Sequence, residues 1–396
     1  MIDGTTGALT PIDADAGTAG IQHFAAGDRP VAVAVEPAGK AAYVVNQADG
    51  TVSAYRIDAA SGALSLIDAP DPTGGATSIG VAIDPSGNFA YVVNNGGDLS
   101  AFRIAVAYGG LSVIPCGGGA GCNGDRFQTV PGARAVTVDP SGAYLYAAGQ
   151  GANESYAGTH RIDAVTGTLS TAVTTAGLGG RGVAIAAGTT AVLHLPTFAY
   201  VSSAGFNKVE VLRIDATTGA LAAAGTLTDG IAGPAGAAID PLGRFAYVAN
   251  KGGSNVTGYT VHAATGALTR VPGSGTVVPS LLPGGSFTLV PPAAVVTDSS
   301  GRFTYVASPG TDEVSAFAFH AVSGVLSAVL CTGNINCSAG VPNRVKLSPL
   351  AGVNFGPGSL AFDPAGRFIL TANRLHSTSH ALSIHPVTGA HSDAGS

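Results

Sequence analysis

Val33-Ala34-Val35-Glu36-Pro37-Ala38-Gly39, then Tyr43-Val44-Val45-Asn46, then Val52-Ser53-Ala54-Tyr55-Arg56-Ile57-Asp58, then Gly62-Ala63-Leu64: this succession decides the fold. Each piece is short, rich in Val, Tyr and Ile, and bounded by Gly, Pro, Asp or Asn, which is the signature of strands joined by tight turns. Proline presets φ early in a turn, a short acid bonds the following backbone, and glycine closes the turn. The succession returns at Val81-Ala82-Ile83-Asp84-Pro85-Ser86-Gly87 and Tyr91-Val92-Val93-Asn94. Further copies centre on Asp139, Ala186 (degenerate), Asp240, Asp298 and Asp363, with anchors 47–65 residues apart. Four short strands at that period make a propeller blade. One four-stranded blade cannot bury both its faces, but seven packed around an axis can. The sequence therefore predicts an all-β fold, a seven-bladed β-propeller of four-stranded antiparallel blades. A closed repeat array overrides the length rule, so residues 1–396 are expected to form one domain.

Closure is the demanding step of such a ring. The chain opens with Ile2-Asp3-Gly4-Thr5-Thr6-Gly7-Ala8-Leu9-Thr10, the outer half of a repeat without its inner half. The last repeat has three strand-like stretches and then nearly runs out. Residues 8–12 are thus expected to supply the fourth strand of the last blade, which removes an open sheet edge. Self-association, with that strand completing a neighbour's blade, is the alternative.

Composition narrows the function. Only 11% of the 396 residues are charged and 46% are hydrophobic, which excludes a disordered chain. With 18 Lys+Arg and a net charge of −6, no basic surface is expected for nucleic acid. No apolar run is long enough to span a membrane. No signal peptide is visible at the N-terminus, which leaves export open.

At this point the residues resemble a known family. Asp-Pro-Ser-Gly, Tyr-Val-Val-Asn, Val-Ser-Ala-Tyr-Arg-Ile-Asp and Thr-Gly-Ala-Leu together resemble the lactonase-like seven-bladed propellers, also described by their Tyr-Val-Thr-Asn repeat. That superfamily includes 6-phosphogluconolactonase and carboxymuconate cyclase. The resemblance implies Pro-Arg-His at the mouth of an inner strand and a Glu just after a Tyr-Val-x-Asn strand. At the arginine position this chain has Val31, Ile79, Arg134, Arg181, Ala235, Ala293 and Gly358 in blade order. The histidine position holds Ala32, Gly80, Ala135, Gly182, Gly236, Ala294 and Ser359. The glutamate position holds Gln47, Asn95, Gln150, Ala204, Lys251, Pro309 and Arg374. No His or Glu matches, and only Arg134 and Arg181 survive, in neighbouring blades. The two guanidiniums are candidates to hold a small anionic ligand, a carboxylate or phosphate. No catalytic residue can be named.

The recurrent acids Asp58, Asp163 and Asp215 read as turn residues, as do Asp84, Asp139, Asp240 and Asp363. The histidines are spread around the ring, and no metal site or cofactor is expected. His376 and His380, with His391 near them in sequence, are the nearest approach to one. Cys116 and Cys122 bracket five residues, and so do Cys331 and Cys337. Two local disulfides are the expectation, against a four-cysteine zinc site that would need two distant loops to meet. Disulfides imply an oxidising compartment: periplasm, cell surface or medium. Insertions at residues 115–132, 270–292 and 328–357 follow outer strands and offer a loop face to a protein or glycan partner. With the scaffold intact and the His and Glu missing, the expected function is an exported, non-catalytic binding or scaffold protein. The alternative is a lactonase-type hydrolase acting on a sugar lactone or sugar acid at the axial channel mouth, and catalysis is left undecided.

Overall fold

The Asp-Pro turns form for a local reason. Asp84 Oδ1 accepts a hydrogen bond from the Phe89 amide (2.7 Å), while its own carbonyl accepts from Gly87 N (2.9 Å). Equivalent carboxylates bond the amides of Tyr144 (2.8 Å), Phe245 (2.7 Å), Phe303 (2.7 Å) and Phe368 (2.9 Å). Each acid thus caps the start of the next strand and fixes the hairpin.

The structure is a computed structural model. It describes residues 2–3, 10–11, 23–75, 77–150, 155–176, 197–273, 276–277, 279–281, 287–329, 344–347 and 354–385. The hairpins assemble into seven antiparallel blades, numbered here in chain order. Blade 1 runs from an inner strand Pro30–Val35 through Ala41–Asn46 and Thr51–Ile57 to an outer strand Leu64–Leu66. Blade 2 begins at Ser78–Ile83, blade 3 at Ala133–Val138, blade 5 at Pro234–Ile239, blade 6 at Ala294–Thr297 and blade 7 at Pro357–Phe362. Blade 4 shows Phe198–Ser203, Lys208–Ile214 and Leu221–Leu227, its degenerate first strand lying outside the described residues. Inner strands adjoin around the axis: blade 3 touches blade 2, blade 2 touches blade 1, blade 1 touches blade 7, and blade 7 touches blade 6.

Second strands are buried end to end, as in Ala41–Asn46, Phe89–Asn94 and Phe245–Asn250, because a neighbouring blade covers each face. One core joins Tyr43 and Val45 of blade 1 to Val92 and Phe102 of blade 2. Another joins Val44 and Tyr55 of blade 1 to Phe368 and Leu370 of blade 7. Burial of this apolar surface, at roughly 25 cal/mol per Å2, is what stacks the blades. Polar ties fix the stacking. Tyr43, Tyr91, Tyr200 and Tyr247 donate to the carbonyls of Gly109 (2.8 Å), Gly167 (3.0 Å), Gly266 (2.8 Å) and Gly324 (3.1 Å). Each of those glycines lies in the outer turn of the following blade. Within a blade, Asn46 Nδ2 donates to Ser53 Oγ (2.9 Å) and Asn94 Nδ2 to Ser100 Oγ (3.0 Å), tying second strand to third.

The outer edge differs from the expectation. The insertions do not follow complete outer strands; they interrupt them. In blade 1, Leu64–Leu66 pairs with one end of Thr51–Ile57 and Asp71–Pro72 with the other. Blade 2 repeats this with Leu111–Ile114 and Arg126–Gln128, blade 5 with Leu268–Arg270 and Thr276–Val277, and blade 6 with Leu326–Ala328 and Arg344–Lys346. The excursions therefore leave from the periphery of the ring. In blade 2 the excursion covers the blade edge, with Phe127 buried against Leu99.

Blade 7 closes by the same device. Thr10–Pro11 pairs with Leu382 and Ser383, and His23–Ala25 pairs with residues 378–380 of Thr378–His385. The N-terminal segment is the outer strand of the last blade: the strand expected at residues 8–12 pairs at Thr10–Pro11, and His23–Ala25 adds a second piece that the sequence pattern does not foretell. Ile2–Asp3 adds a further, parallel pairing.

Candidate functional site at the channel rim

Blades 1, 2, 3, 5 and 7 open the inner strand with the same irregularity, which blade 6 lacks. The residue before the strand has a left-handed backbone: Arg29 (φ 56°), Thr77 (φ 67°), Gly132 (φ 56°), Gly233 (φ 56°) and Gly356 (φ 66°). Its carbonyl, in turn, receives an amide from the turn after the second strand, as in Gln47 N to Arg29 O (2.9 Å) and Arg374 N to Gly356 O (3.1 Å). A register shift follows, between Pro30 and Ala32, Ala133 and Ala135, Pro234 and Gly236, and Pro357 and Ser359. The family's arginine position is therefore a β-bulge, with Val31, Arg134, Ala235 and Gly358 as the extra residues. Bulges of this kind re-aim a side chain, and they gather here on the rim of the axial channel.

Arg134 sits in the blade 3 bulge. Its Nε is buried and has no hydrogen-bond partner, and no ion pair engages it among the described residues. Arg181, its companion in the sequence reading, lies outside the described residues. Two further cations, Arg374 and Arg29, stand on the rim where blade 7 meets blade 1. Arg374 follows Asn373 at the glutamate position of blade 7, and its side chain lies across Gly358. A Cβ built on Gly358 would stand 2.6 Å from Arg374 Cδ, so the bare bulge is what makes room. Although exposed, Arg374 is recessed enough that burial, and then the charge of Arg29, pulls its pKa below the usual arginine range. Arg29 holds a left-handed backbone that costs an L-residue about 1–2 kcal/mol, where blades 3, 5 and 7 place glycine. The signal for both was available. Arg374 is a cation in a column that otherwise holds mostly uncharged residues, though Lys251 shares it, and Arg29 stands where glycine precedes the inner strands of blades 3, 5 and 7.

The recurrent acids are structural. Asp58 Oδ1 accepts from Ser61 N (2.7 Å), Asp163 from Thr166 N (2.8 Å) and Asp215 from Thr218 N (2.8 Å). These bonds hold all three carboxyls below the usual range. Asp71, pushed up to about 6 by burial and then by Asp68, lies on the outer edge of blade 1 rather than on the rim. A cleft of about 350 Å3 between blades 1 and 2, lined by Glu36, Lys40, Arg56 and Asn88, opens at the Asp-Pro-turn end. Its Ser86 hydroxyl donates to the Asp84 carboxylate within the turn, a local structural bond.

The buried histidines among the described residues serve packing, while His262 and His320 sit in exposed turns. His380 is buried, accepts from Asn373 Nδ2 (2.5 Å) and meets the Phe355 ring edge-on at 5.0 Å; His376 lies against the same ring. His391 lies outside the described residues. Among the described residues no three His, Cys, Asp or Glu side chains are placed to hold a metal ion. His160 is buried in the third strand of blade 3, with Nδ1 2.8 Å from the Ser170 carbonyl and Nε2 2.9 Å from Thr129 Oγ1. A carbonyl only accepts, so Nδ1 carries the proton and Nε2 accepts from the hydroxyl. Burial lowers the ring's pKa. The unfolded chain then binds a proton, near pH 6.5, before the folded one does, so stability is full above that pH and drains away below it. Thermal melts from pH 7.5 to 5 are expected to fall less steeply for His160→Phe than for the parent chain. Parallel curves would refute this assignment.

Cys116 and Cys122 form a disulfide with Cα atoms 5.8 Å apart, clamping the blade 2 excursion. Cys331 and Cys337 lie outside the described residues. No helix among the described residues is long and apolar enough to cross a membrane.

The family described as "Lactonase, 7-bladed beta-propeller" matches residues 187–282. No curated protein matches. Among solved structures, the periplasmic gluconolactonase of Pseudomonas aeruginosa is 20% identical, with 88% of this chain and 91% of that one covered at a TM-score of 0.63. A putative 6-phosphogluconolactonase from Bacteroides fragilis is 22% identical, covering 75% and 82% at 0.57. Hydrazine synthase from Kuenenia stuttgartiensis is 16% identical, covering 95% and 100% at 0.61. The fold is thus lactonase-like. The match to the lactonase family overturns the expectation of a non-catalytic scaffold, which rested on the missing histidine and glutamate. Those positions are only two per blade. The bulged rim presents other polar side chains, so their loss is no argument against chemistry.

Proposed function

We propose that the chain is a lactonase-type hydrolase acting on a sugar lactone or sugar acid at the axial channel mouth. The observation that carries this reading is Arg134, a rim guanidinium with a buried, unpartnered Nε, on a scaffold whose family match is lactonase. Lactone opening adds water to the ring carbonyl, places negative charge on the carbonyl oxygen, and then releases the ring oxygen with a proton. A fixed guanidinium stabilises that developing oxyanion. Arg181, in the neighbouring blade, is the proposed second cation. The solved likenesses to a gluconolactonase and a 6-phosphogluconolactonase support the substrate class.

The Cys116–Cys122 disulfide and the periplasmic location of the Pseudomonas aeruginosa relative support an exported protein. Residues 1–396 are proposed to act as one domain. The test is hydrolysis of glucono-δ-lactone followed by proton release. The parent chain should exceed the uncatalysed rate, and Arg134→Ala should lower kcat/KM by about 10²-fold, the size of losing one oxyanion donor. An unchanged rate in Arg134→Ala, or no rate above buffer in the parent chain, would remove this reading.

A further inference from the structure

The rim carries a second pair of cations that the family positions do not account for. Arg29 and Arg374 stand on facing loops at the seam between blades 1 and 7, at the same end of adjoining inner strands. Ala26 N donates to Ser377 O (2.9 Å) and Ser377 Oγ to Asp28 Oδ1 (3.2 Å), which ties the two flanking loops together. Neither guanidinium has an ion-pair partner among the described residues. The carboxylates of the same loops are engaged by other groups: Asp28 by Ser377 Oγ, and Asp49 by the Asp28 amide.

Two features show that the pair is built in rather than incidental. Arg29 occupies a left-handed position that glycine fills in blades 3, 5 and 7, so its backbone is strained. Gly358 leaves the blade 7 bulge bare, and the Arg374 stem fills that space. Arg374 also stands where the family pattern puts an acid, so the rim's charge is inverted at this seam. Two like charges held together without a counter-ion attract an oxyanion, and a planar fork of donors suits a carboxylate or phosphate.

We propose that Arg29 and Arg374 form an oxyanion-binding site at the blade 7–blade 1 seam of the rim, which takes the carboxylate or phosphate group of a sugar acid. The proposal rests on reading the rim as the substrate site, and binding can be measured without turnover. Gluconate and inorganic phosphate serve as probes, titrated calorimetrically and by thermal melting into the parent chain and into Arg374→Ala, Arg29→Gly and Arg213→Ala. The parent chain should bind at least one probe saturably. Arg374→Ala and Arg29→Gly should each weaken that binding by 10-fold or more, while Arg213→Ala, on the exposed face of the third strand of blade 4, changes it less than 3-fold. Arg29→Gly relieves the left-handed strain, so without any probe it should melt above the parent chain and gain less on adding it. Phosphate bound in preference to gluconate identifies a phosphorylated sugar, and the reverse identifies a free sugar acid.

Saturable binding that survives both seam variants would overturn the proposal, as would a parent chain that binds neither probe. A lower melting point for Arg29→Gly would make Arg29 a structural residue and overturn it too. Seam-dependent binding with no lactone turnover would sink the hydrolase reading alone. Turnover that persists with seam binding absent would sink this inference alone.

Discussion

Gly324→Ala is expected to destabilise the propeller by about 3–5 kcal/mol, read as a lowered urea midpoint with little change in slope. Three costs meet at this residue. Its φ is +70°, a conformation that charges any L-residue about 1–2 kcal/mol. An added Cβ would stand 2.5 Å from Phe245 Cε1, well inside van der Waals contact, and overpacking a filled site costs about 1–3 kcal/mol. Its carbonyl accepts the hydroxyl of Tyr247, a fully buried side chain whose pKa burial raises. Moving that carbonyl strands a buried donor, for about 1–3 kcal/mol. The costs overlap because one backbone shift relieves the clash and breaks the bond together. Gly167, Gly219 and Gly266 share the left-handed backbone and a ring in the way. Gly273→Ala is the control: its φ is +75°, but nothing lies within 4 Å of the added Cβ. It should cost only the backbone term. Equal losses at both positions would show that the ring contact and the tyrosine bond contribute nothing.

That comparison explains what the sequence could and could not say. The recurrent Thr-Gly-Ala-Leu turn, the Tyr of Tyr-Val-Val-Asn and the Asp of the Asp-Pro turn are set by local and inter-blade geometry. Most blades carry them, so repetition exposes them and the propeller can be read directly. The same logic assigned Asp58, Asp163 and Asp215 to turns, and the bonds to Ser61, Thr166 and Thr218 agree. The outer strand was legible only in part. Leu64–Leu66 and Asp71–Pro72 act as one strand with a gap, and pairing across a gap leaves no period-two signature. The rim was harder still. Function there depends on departures from the repeat, and a departure has no pattern of its own. Arg134 was visible because a family motif pointed to its position. Arg374 shared its column with Gln47, Lys251 and Pro309, which made it look like surface variation. Its meaning comes from Gly358, sixteen residues earlier, and from Arg29, across the seam. Only closure of the ring brings the two ends of the chain together.

Removing residues 1–26 is expected to open that seam, with a loss on the order of 5 kcal/mol or more. The truncated chain loses the pairing of His23–Ala25 and Thr10–Pro11 with the third strand of blade 7. Each lost backbone bond contributes about 1 kcal/mol net. Phe24, which packs against the core joining blades 7 and 1, goes with them. Tyr55 loses the Ala25 carbonyl to which its buried hydroxyl donates, and that hydroxyl, pushed up to about 12 by burial, cannot escape by ionising. The strand left bare, Thr378–His385, then presents unpaired amides and carbonyls on an exposed edge. Light scattering should therefore show association that rises with protein concentration, together with a melting temperature lowered by roughly 10 °C or more. A synthetic peptide of residues 1–26 added in trans should restore both, because the pairing needs the strand and not its covalent link. A truncated chain that stays monomeric with the parent melting temperature would mean that the seam holds through blade-to-blade packing alone.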